Sequence, residues 1–164
     1  MKYLSHWQSP LGGMTLASDG EALTGLWFDG QKYFPAQLTG EEKDLALFRQ
    51  VRAWLESYFR KENPPVDFPL NAEGSPFSHS VWEILRQIPY GSTMTYGQIA
   101  RILQAQSGKP VSAQAVGGAV GHNPISVVIP CHRVIGADGG LTGYAGGIEK
   151  KCACLLYTSP SPRD

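Results

Sequence analysis

The sequence contains little that would carry the chain to a membrane. No apolar run approaches the roughly 20 residues that a membrane-spanning helix needs. The most apolar stretch, Ile125 to Ile129, is only as long as a strand. The first six residues show no basic start followed by an apolar stretch, which is the pattern of a signal peptide. We therefore predict a cytoplasmic protein with no membrane partner.

Cysteine is scarce, and the positions of the three cysteines exclude two kinds of site. Cys152 and Cys154 are too close in sequence for an ordinary structural disulfide, which favours a reducing compartment. No cysteine precedes Cys131, so His6 and His79 alone make a poor ligand set for zinc. We expect neither a bound metal nor another cofactor.

A net charge is also missing, although the charges are unevenly distributed. The 14 basic and 14 acidic residues cancel over the whole chain. Residues 1–74 carry seven Lys and Arg against ten Asp and Glu, whereas residues 75–164 carry seven against four. The second half is therefore the part better suited to a polyanion such as nucleic acid.

The first half of the chain shows an α/β pattern. Short strands separated by glycine-containing turns are predicted in the first 30 residues, and an amphipathic helix is predicted over Glu41 to Phe59. The apolar face of this helix comprises Leu45, Phe48, Val51, Leu55, Tyr58 and Phe59. Prolines concentrated in residues 63–76 indicate a boundary. We predict domains over residues 1–74 and 75–157, with a disordered or non-native tail over residues 158–164.

The second half begins with patterns typical of helices. Ser75 followed by Pro76 predicts a helix start, and the predicted buried side of that helix comprises Phe77, Val81, Ile84, Leu85 and Ile88. Thr95 and Gln98 form a capping-box pattern at the start of a second helix. Ser112 caps a third, over residues 113–122, and a strand is predicted over residues 125–129. Two short helices joined by a turn are typical of a helix-turn-helix.

Two glycines interrupt the third of these helices. Gly117 and Gly118 each cost about 1 kcal/mol of helix stability relative to alanine. Close packing against another helix would explain them, and so would the close approach of a DNA backbone. The two explanations do not exclude each other, and both stay open at this point.

Cys131 is followed directly by His132 and then by Arg133. A cysteine attacks as its thiolate, which a base or a positive charge must favour. Neighbouring side chains of a strand point to opposite faces, so this pair needs a turn or a bridging water to work together. Pro130 restricts the backbone just before the pair. The pair alone equally fits a structural cysteine beside a surface histidine.

Several motifs around this pair, in the same order along the chain, resemble those of the O6-alkylguanine-DNA alkyltransferase family. They are Thr95-Tyr96-Gly97-Gln98-Ile99-Ala100, Ala115-Val116-Gly117-Gly118-Ala119, Asn123-Pro124, Pro130-Cys131-His132-Arg133-Val134 and Gly143-Tyr144-Ala145-Gly146-Gly147. The likeness is close over residues 75–150 and general over residues 1–74. It implies an α/β protein in which a ribonuclease H-like N-terminal domain precedes a mostly helical domain with a winged-helix-like helix-turn-helix.

The resemblance implies a role for individual residues. Cys131 would accept the alkyl group, and His132 would act as its base through a water molecule. Asn123 would hold the turn, and Tyr96 would support rotation of the damaged nucleotide and protonate the leaving guanine. On spacing alone, Tyr96 equally fits the core and Asn123 a helix stop. The implied contacts to DNA and substrate are Gln114, Ala115, Gly117, Gly118, Arg133, Val134, Tyr144, Ala145, Gly146 and Gly147.

The resemblance further implies direct reversal of DNA damage. A methyl or alkyl group would pass from O6-alkylguanine, or from O4-alkylthymine, in double-stranded DNA to Cys131 of a monomer, once per molecule. One alternative is a non-catalytic protein that binds alkylguanine in DNA, against which the presence of Cys131 argues. Another is a cysteine hydrolase, for which the adjacent Cys131 and His132 have unsuitable spacing.

Two positions depart from the family pattern. The family usually has an arginine in the recognition helix to fill the gap left by the flipped base, and Gln114 stands there in this chain. The last helix, expected over Ile148 to Tyr157, usually ends with a glutamate that hydrogen bonds the active-site histidine. No glutamate follows Glu149, so we expect His132 to be less well oriented and the transfer to be slower.

Overall fold

A four-stranded, mostly antiparallel sheet forms the first part of the protein in the computed structural model, which describes residues 2–31 and 34–136. Strands β1 (Tyr3–Ser9), β2 (Gly12–Ser18) and β3 (Leu23–Phe28) follow one another as a meander. A two-residue strand, β4 (Glu41–Glu42), runs parallel to β1, and the strand order is β3-β2-β1-β4. The strands predicted in the first 30 residues are therefore confirmed.

Helix α1 (Ala46–Phe59) contributes its apolar side to the same core as the sheet. Most of the predicted face of this helix is buried, but the predicted start at Glu41 is wrong. The backbone N–H of Glu41 donates to the carbonyl of Lys2, and the N–H of Lys43 donates to the carbonyl of Leu4. Residues 41–43 therefore extend the sheet, because they satisfy backbone groups at the edge of β1 that a helix would leave without these partners.

Up to residue 136, three helices follow the proline-containing segment: α2 (Pro76–Leu85), α3 (Tyr96–Ser107) and α4 (Ala113–Gly121). The three predicted caps are all present, and Thr95 and Gln98 form the reciprocal capping box. Burial in α2 begins at Val81, whereas Phe77, which we predicted to be buried, is 37% exposed. The α/β fold class with a helical second part is thus confirmed. None of the described helices is long and apolar enough to span a bilayer.

Packing and a buried hydrogen bond between α2 and α4 help to hold the helical part together. The indole N–H of Trp82 on α2 donates to the carbonyl of Ala119 on α4 at 2.9 Å. Gly108, with φ of 72°, ends α3 in the left-handed conformation and allows the turn that leads to α4. This part also contains a 3-10 turn (Cys131–Arg133) and two two-residue strands, β5 (Met94–Thr95) and β6 (Val134–Ile135), which pair in parallel.

The outer edge of β3 joins the two parts of the chain. Near its start, Leu23 exchanges backbone hydrogen bonds with Pro69 and Asn71, at 2.9 and 2.8 Å. Further along, the N–H of Leu26 donates to the carbonyl of Pro124 at 2.8 Å, and the N–H of Ser126 donates to the carbonyl of Leu26 at 2.9 Å. Segments before and after the three helices therefore dock on one strand.

The strand predicted over residues 125–129 is wrong. Only Ile125 forms a β-bridge, with Leu26, and turns follow it. The cause is the backbone of Val127, whose φ of 70° lies outside the extended region. The apolar composition that indicated a strand instead reflects burial, since residues 125–129 are all buried.

Candidate active site

Cys131 lies where the backbone reverses twice in succession. Its N–H donates to the carbonyl of Ile129 at 2.7 Å across Pro130, whose φ of −80° and ψ of 67° are those of an inverse γ-turn. The 3-10 turn then takes the chain through Cys131 and His132. The adjacent cysteine and histidine thus lie on a turn, which is the condition under which their side chains can work together.

The side chain of Asn123 braces the segment that leads to this turn. Its Nδ2 donates to the carbonyl of Ile129 at 2.8 Å and to that of Ile125 at 3.3 Å, while its Oδ1 accepts from the N–H of Ile125 at 2.9 Å. All of these groups are buried. Asn123 therefore does more than stop α4, because it fixes the backbone just before Pro130 and Cys131.

The braced segment contains a strained residue. Val127 has a left-handed backbone, and the N–H of Val128 closes a tight turn by donating to the carbonyl of Ser126 at 2.8 Å. For a β-branched residue such a conformation costs about 1–3 kcal/mol and persists only where the surroundings enforce it. Here Asn123 on one side and Leu26 on the other enforce it.

The imidazole of His132 is completely buried and touches a residue from the N-terminal part. The hydroxyl of Tyr58, on α1, lies 2.6 Å from Nε2 of His132. The two rings meet edge to face, with 6.0 Å between their centroids. Cys131 is only 3% exposed, so the reactive pair is almost entirely covered by protein.

Arg133 faces the interior. It is 8% exposed, its Nη1 donates to the carbonyl of Ile88 at 2.9 Å, and its guanidinium lies 5.8 Å from the centroid of the Tyr90 ring. We predicted it among the DNA contacts, and the structure instead places it against these two residues.

Tyr96 and the helix-turn-helix lie next to the nucleophilic turn in the fold. The pairing of Met94 with Val134, and of Thr95 with Ile135, sets the start of α3 beside the residues that follow Arg133. Tyr96, the first residue of α3, is half-buried and packs against the core.

The helix that resembles the family's recognition helix presents a small and open surface. Gln114, Ala115 and Gly118 are exposed, and Gly117 is half-buried. A Cβ added to Gly117 would meet the Tyr96 ring at an ordinary 3.8 Å, and one added to Gly118 would meet no described residue outside its own helix backbone within 4 Å. Packing against the described residues therefore does not require a glycine at either position, which favours the explanation that an external molecule approaches there.

The remaining predicted site residues fall outside the described part of the chain. These are Tyr144, Ala145, Gly146 and Gly147, together with the expected last helix and the tail. Within residues 2–31 and 34–136, no three His, Cys, Asp or Glu side chains gather as a group that could hold a metal ion.

Sequence reasoning missed Tyr58 as a neighbour of the site. It assigned Tyr58 to the buried face of α1, which is correct, but a buried tyrosine hydroxyl also needs a hydrogen-bond partner. The sequence could therefore have indicated that the Tyr58 hydroxyl has a buried partner. It could not indicate which residue that partner is, because His132 lies 74 residues away in sequence.

Comparison with known proteins agrees with this arrangement. Residues 2–72 match the family model described as 6-O-methylguanine DNA methyltransferase, ribonuclease-like domain, and residues 76–157 match the DNA binding domain of the same description. The chain belongs to the 6-O-methylguanine DNA methyltransferase family. The methylated-DNA–protein-cysteine methyltransferase of Haemophilus influenzae is 41% identical over 150 residues, which cover 91% of this chain and 82% of the relative.

Solved structures of this methyltransferase family share the fold. The crystal structure of the Mycobacterium tuberculosis O6-methylguanine methyltransferase is 43% identical with a TM-score of 0.84, covering all of this chain and 97% of that one. The structure of Mycobacterium tuberculosis OGT in complex with DNA is 41% identical with a TM-score of 0.82, over 97% and 96% of the two chains.

The bracing of the turn in this methyltransferase family member can be tested with Asn123→Ala. The substitution leaves the buried N–H of Ile125 and the carbonyl of Ile129 without these partners, and we expect it to lower the free energy of unfolding by about 2–3 kcal/mol. Urea denaturation followed by circular dichroism measures the change.

Gln104→Ala is the matched control, because it also removes a side-chain hydrogen bond to a backbone N–H, that of Val111, but at an exposed position. Gln104→Ala should lower the free energy of unfolding by less than about 1 kcal/mol, since water replaces the lost partner. Equal decreases in the free energy of unfolding for the two variants would contradict the bracing role of Asn123.

Proposed function

We propose that the protein repairs DNA directly, by transferring the methyl or alkyl group of O6-alkylguanine to its own Cys131. The observation that carries this proposal is the braced turn that holds Cys131 next to a buried histidine, in a chain of the 6-O-methylguanine DNA methyltransferase family. Relatives such as the one from Haemophilus influenzae are named methylated-DNA–protein-cysteine methyltransferases, in agreement with a cysteine acceptor.

The transfer is a displacement at the alkyl carbon. His132 takes the proton from the thiol of Cys131 through a water molecule, which leaves the electron pair on sulfur. The thiolate forms a bond to the alkyl carbon while the bond from that carbon to O6 breaks, and its electron pair goes to the guanine. Tyr96 supplies the proton that makes guanine a neutral leaving group, and that proton is later replaced from His132 or solvent. The thioether on Cys131 is stable, so each molecule acts once.

The burial of Cys131 determines how the substrate must reach it. The alkylated carbon lies inside a stacked duplex, and the acceptor lies under the protein surface at 3% exposure. Neither can reach the other by simple docking. The nucleotide must therefore be rotated out of the duplex, at a cost of a few kcal/mol.

DNA would be held at the exposed side of α4. Gln114 and Ala115 lie at its start, and the bare surface of Gly118 lets a sugar-phosphate backbone come close. Val134 and the loop of Tyr144 to Gly147 would contribute to the guanine pocket. The double-stranded form of the DNA, O4-alkylthymine as a second substrate, the monomeric state and the cytoplasmic location stay predictions from the sequence.

A non-catalytic DNA-binding role is the second candidate from the sequence. It would require a site that recognises alkylguanine without accepting the group. The presence of a cysteine in the turn, and relatives that are named as methyltransferases, do not favour it.

Peptide mass spectrometry tests the proposal. After incubation with duplex DNA containing O6-methylguanine, the tryptic peptide of Cys131 is expected to gain one methyl group, in a yield that does not exceed one per molecule. Cys131→Ser should keep DNA affinity and gain nothing, because the neutral hydroxyl is a poor nucleophile. Tight binding by the wild type without a mass change would support the non-catalytic role instead.

Gly118→Ala tests the contact of α4 with DNA. Alanine should raise the free energy of unfolding by up to about 1 kcal/mol, since the helix gains a better helix former in open space. The same methyl group should weaken DNA binding several-fold, as measured by fluorescence anisotropy. Ala105→Gly makes the opposite change on the exposed last turn of α3 and serves as the control. It should lower the free energy of unfolding and leave the affinity for DNA unchanged. An unchanged affinity of Gly118→Ala would remove α4 from the interface.

Gln114→Arg tests the departure from the family's usual arginine. A positive charge at this exposed position should tighten DNA binding at physiological salt and steepen the salt dependence of log K by about 0.9 per phosphate contacted. Gln106→Arg adds the same charge at an exposed position on α3 and should raise DNA affinity by less than Gln114→Arg does. A loss of affinity in Gln114→Arg would count against an intercalating position.

A further inference from the structure

We propose that Tyr58 positions His132 for the transfer step, so that the N-terminal domain supports the reacting centre as well as the fold. This inference rests on the proposed function. It starts from the contact of 2.6 Å between the Tyr58 hydroxyl and Nε2 of His132, which joins two buried residues from different domains.

The Tyr58 ring has little freedom to move. It stacks on Trp54, with 5.1 Å between centroids and 16° between planes, and it meets Phe59 edge to face at 5.6 Å. The Trp54 indole is itself anchored, because its N–H donates to the carbonyl of Pro64 at 3.1 Å. The hydroxyl is therefore presented to the histidine from a fixed scaffold on α1.

The direction of the hydrogen bond determines whether His132 can act as a base. If Nε2 carries the proton and donates to the Tyr58 oxygen, Nδ1 has a lone pair that can accept a proton. If the tyrosine donates instead, Nδ1 carries the proton and cannot accept another. A role of His132 as base requires the first arrangement, in which Nε2 donates to Tyr58 and Nδ1 accepts, and this is the arrangement that we assign.

The same contact persists when the proton moves. As the S–H bond of Cys131 breaks, its electron pair stays on sulfur and its proton passes through water to Nδ1. His132 then becomes an imidazolium, and the Tyr58 oxygen still accepts from Nε2–H. A hydrogen bond to the charged form favours that form, so the contact favours the thiolate and imidazolium pair.

The contact that carries this role is with His132. Tyr58 acts through His132, and it is a positioning residue. The family usually has a glutamate at the end of its last helix for this task, and no glutamate follows Glu149 in this chain. We assign the task of orienting His132 to Tyr58, which lies in the N-terminal domain.

Tyr58→Phe is the direct test, since it removes the hydroxyl and keeps the packed ring. We expect alkyl transfer to Cys131, followed by peptide mass over about pH 5 to 9, to slow by roughly 10- to 100-fold, the range for losing the orienting partner of a functional histidine. The pH midpoint of the rate should fall, because the imidazolium of His132 loses a hydrogen-bond acceptor and gives up its proton at lower pH, while DNA affinity stays unchanged. A rate and pH profile equal to those of the wild type would overturn the proposal.

Tyr90→Phe is the matched control. It also removes a tyrosine hydroxyl that joins the two parts of the chain, since Tyr90 donates to the carbonyl of Lys61 at 3.0 Å. It should leave the transfer rate and its pH profile unchanged. A loss equal to that of Tyr58→Phe would mean that any loosening of the two domains slows the reaction, and would overturn the specific role of Tyr58.

A double-mutant cycle separates positioning from packing. In a His132→Gln background, adding Tyr58→Phe should slow transfer by less than twofold, because the group that it positions is gone. If Tyr58→Phe slowed transfer by the same factor in the wild-type and His132→Gln backgrounds, the proposal would be contradicted.

Two measurements on the protein without DNA keep this inference distinct from the proposed function. Nitrogen-15 spectra of labelled wild-type protein should show the proton of neutral His132 on Nε2, and the opposite tautomer would overturn the assignment without any variant. The rate of Cys131 with iodoacetamide, resolved from the other cysteines by peptide mass, should fall in Tyr58→Phe. A wild type that gave these results but accepted no alkyl group from DNA would refute the proposed function alone.

Discussion

The backbone of Leu26 is hydrogen-bonded to the chain on both sides of Ile125, and the nucleophilic turn depends on this pairing. A strand edge that is covered by protein must satisfy its N–H and carbonyl groups within the protein. The edge of β3 does so with the carbonyl of Pro124 and the N–H of Ser126. The segment that leads to Cys131 is therefore attached to the N-terminal sheet before it bends into the site.

That attachment allows the strained conformation beyond it. Leu26 and the side chain of Asn123 hold the backbone on the two sides of Val127, whose φ is 70°. The strain is offset by the surrounding contacts, and the result is a turn that places a buried cysteine and a buried histidine in succession.

Much of the fold could be predicted from local patterns, because local interactions decide those features. The caps at Ser75, Thr95 and Ser112 depend on residues three apart in the chain, and each is present. The start of α1 and the supposed strand at Ile125 were wrong for the opposite reason. In both places the backbone found partners on a distant strand, β1 or β3, and no periodicity in the sequence records that pairing. The hydroxyl of Tyr58 is a similar case, since only the docking of α1 reveals what it contacts.

The pairing of Leu26 with Ile125 joins residues that are far apart in the chain, and this has a consequence for biosynthesis. Contacts between distant residues form late, because closing a long loop costs entropy before any contact compensates for it. The sheet leaves the ribosome early, but the segment that it must hold is made roughly a hundred residues later. We therefore expect the thiol to acquire its reactive surroundings as one of the last events of folding. A nascent or misfolded chain would then carry an ordinary cysteine, and its single reaction would be kept for the finished protein.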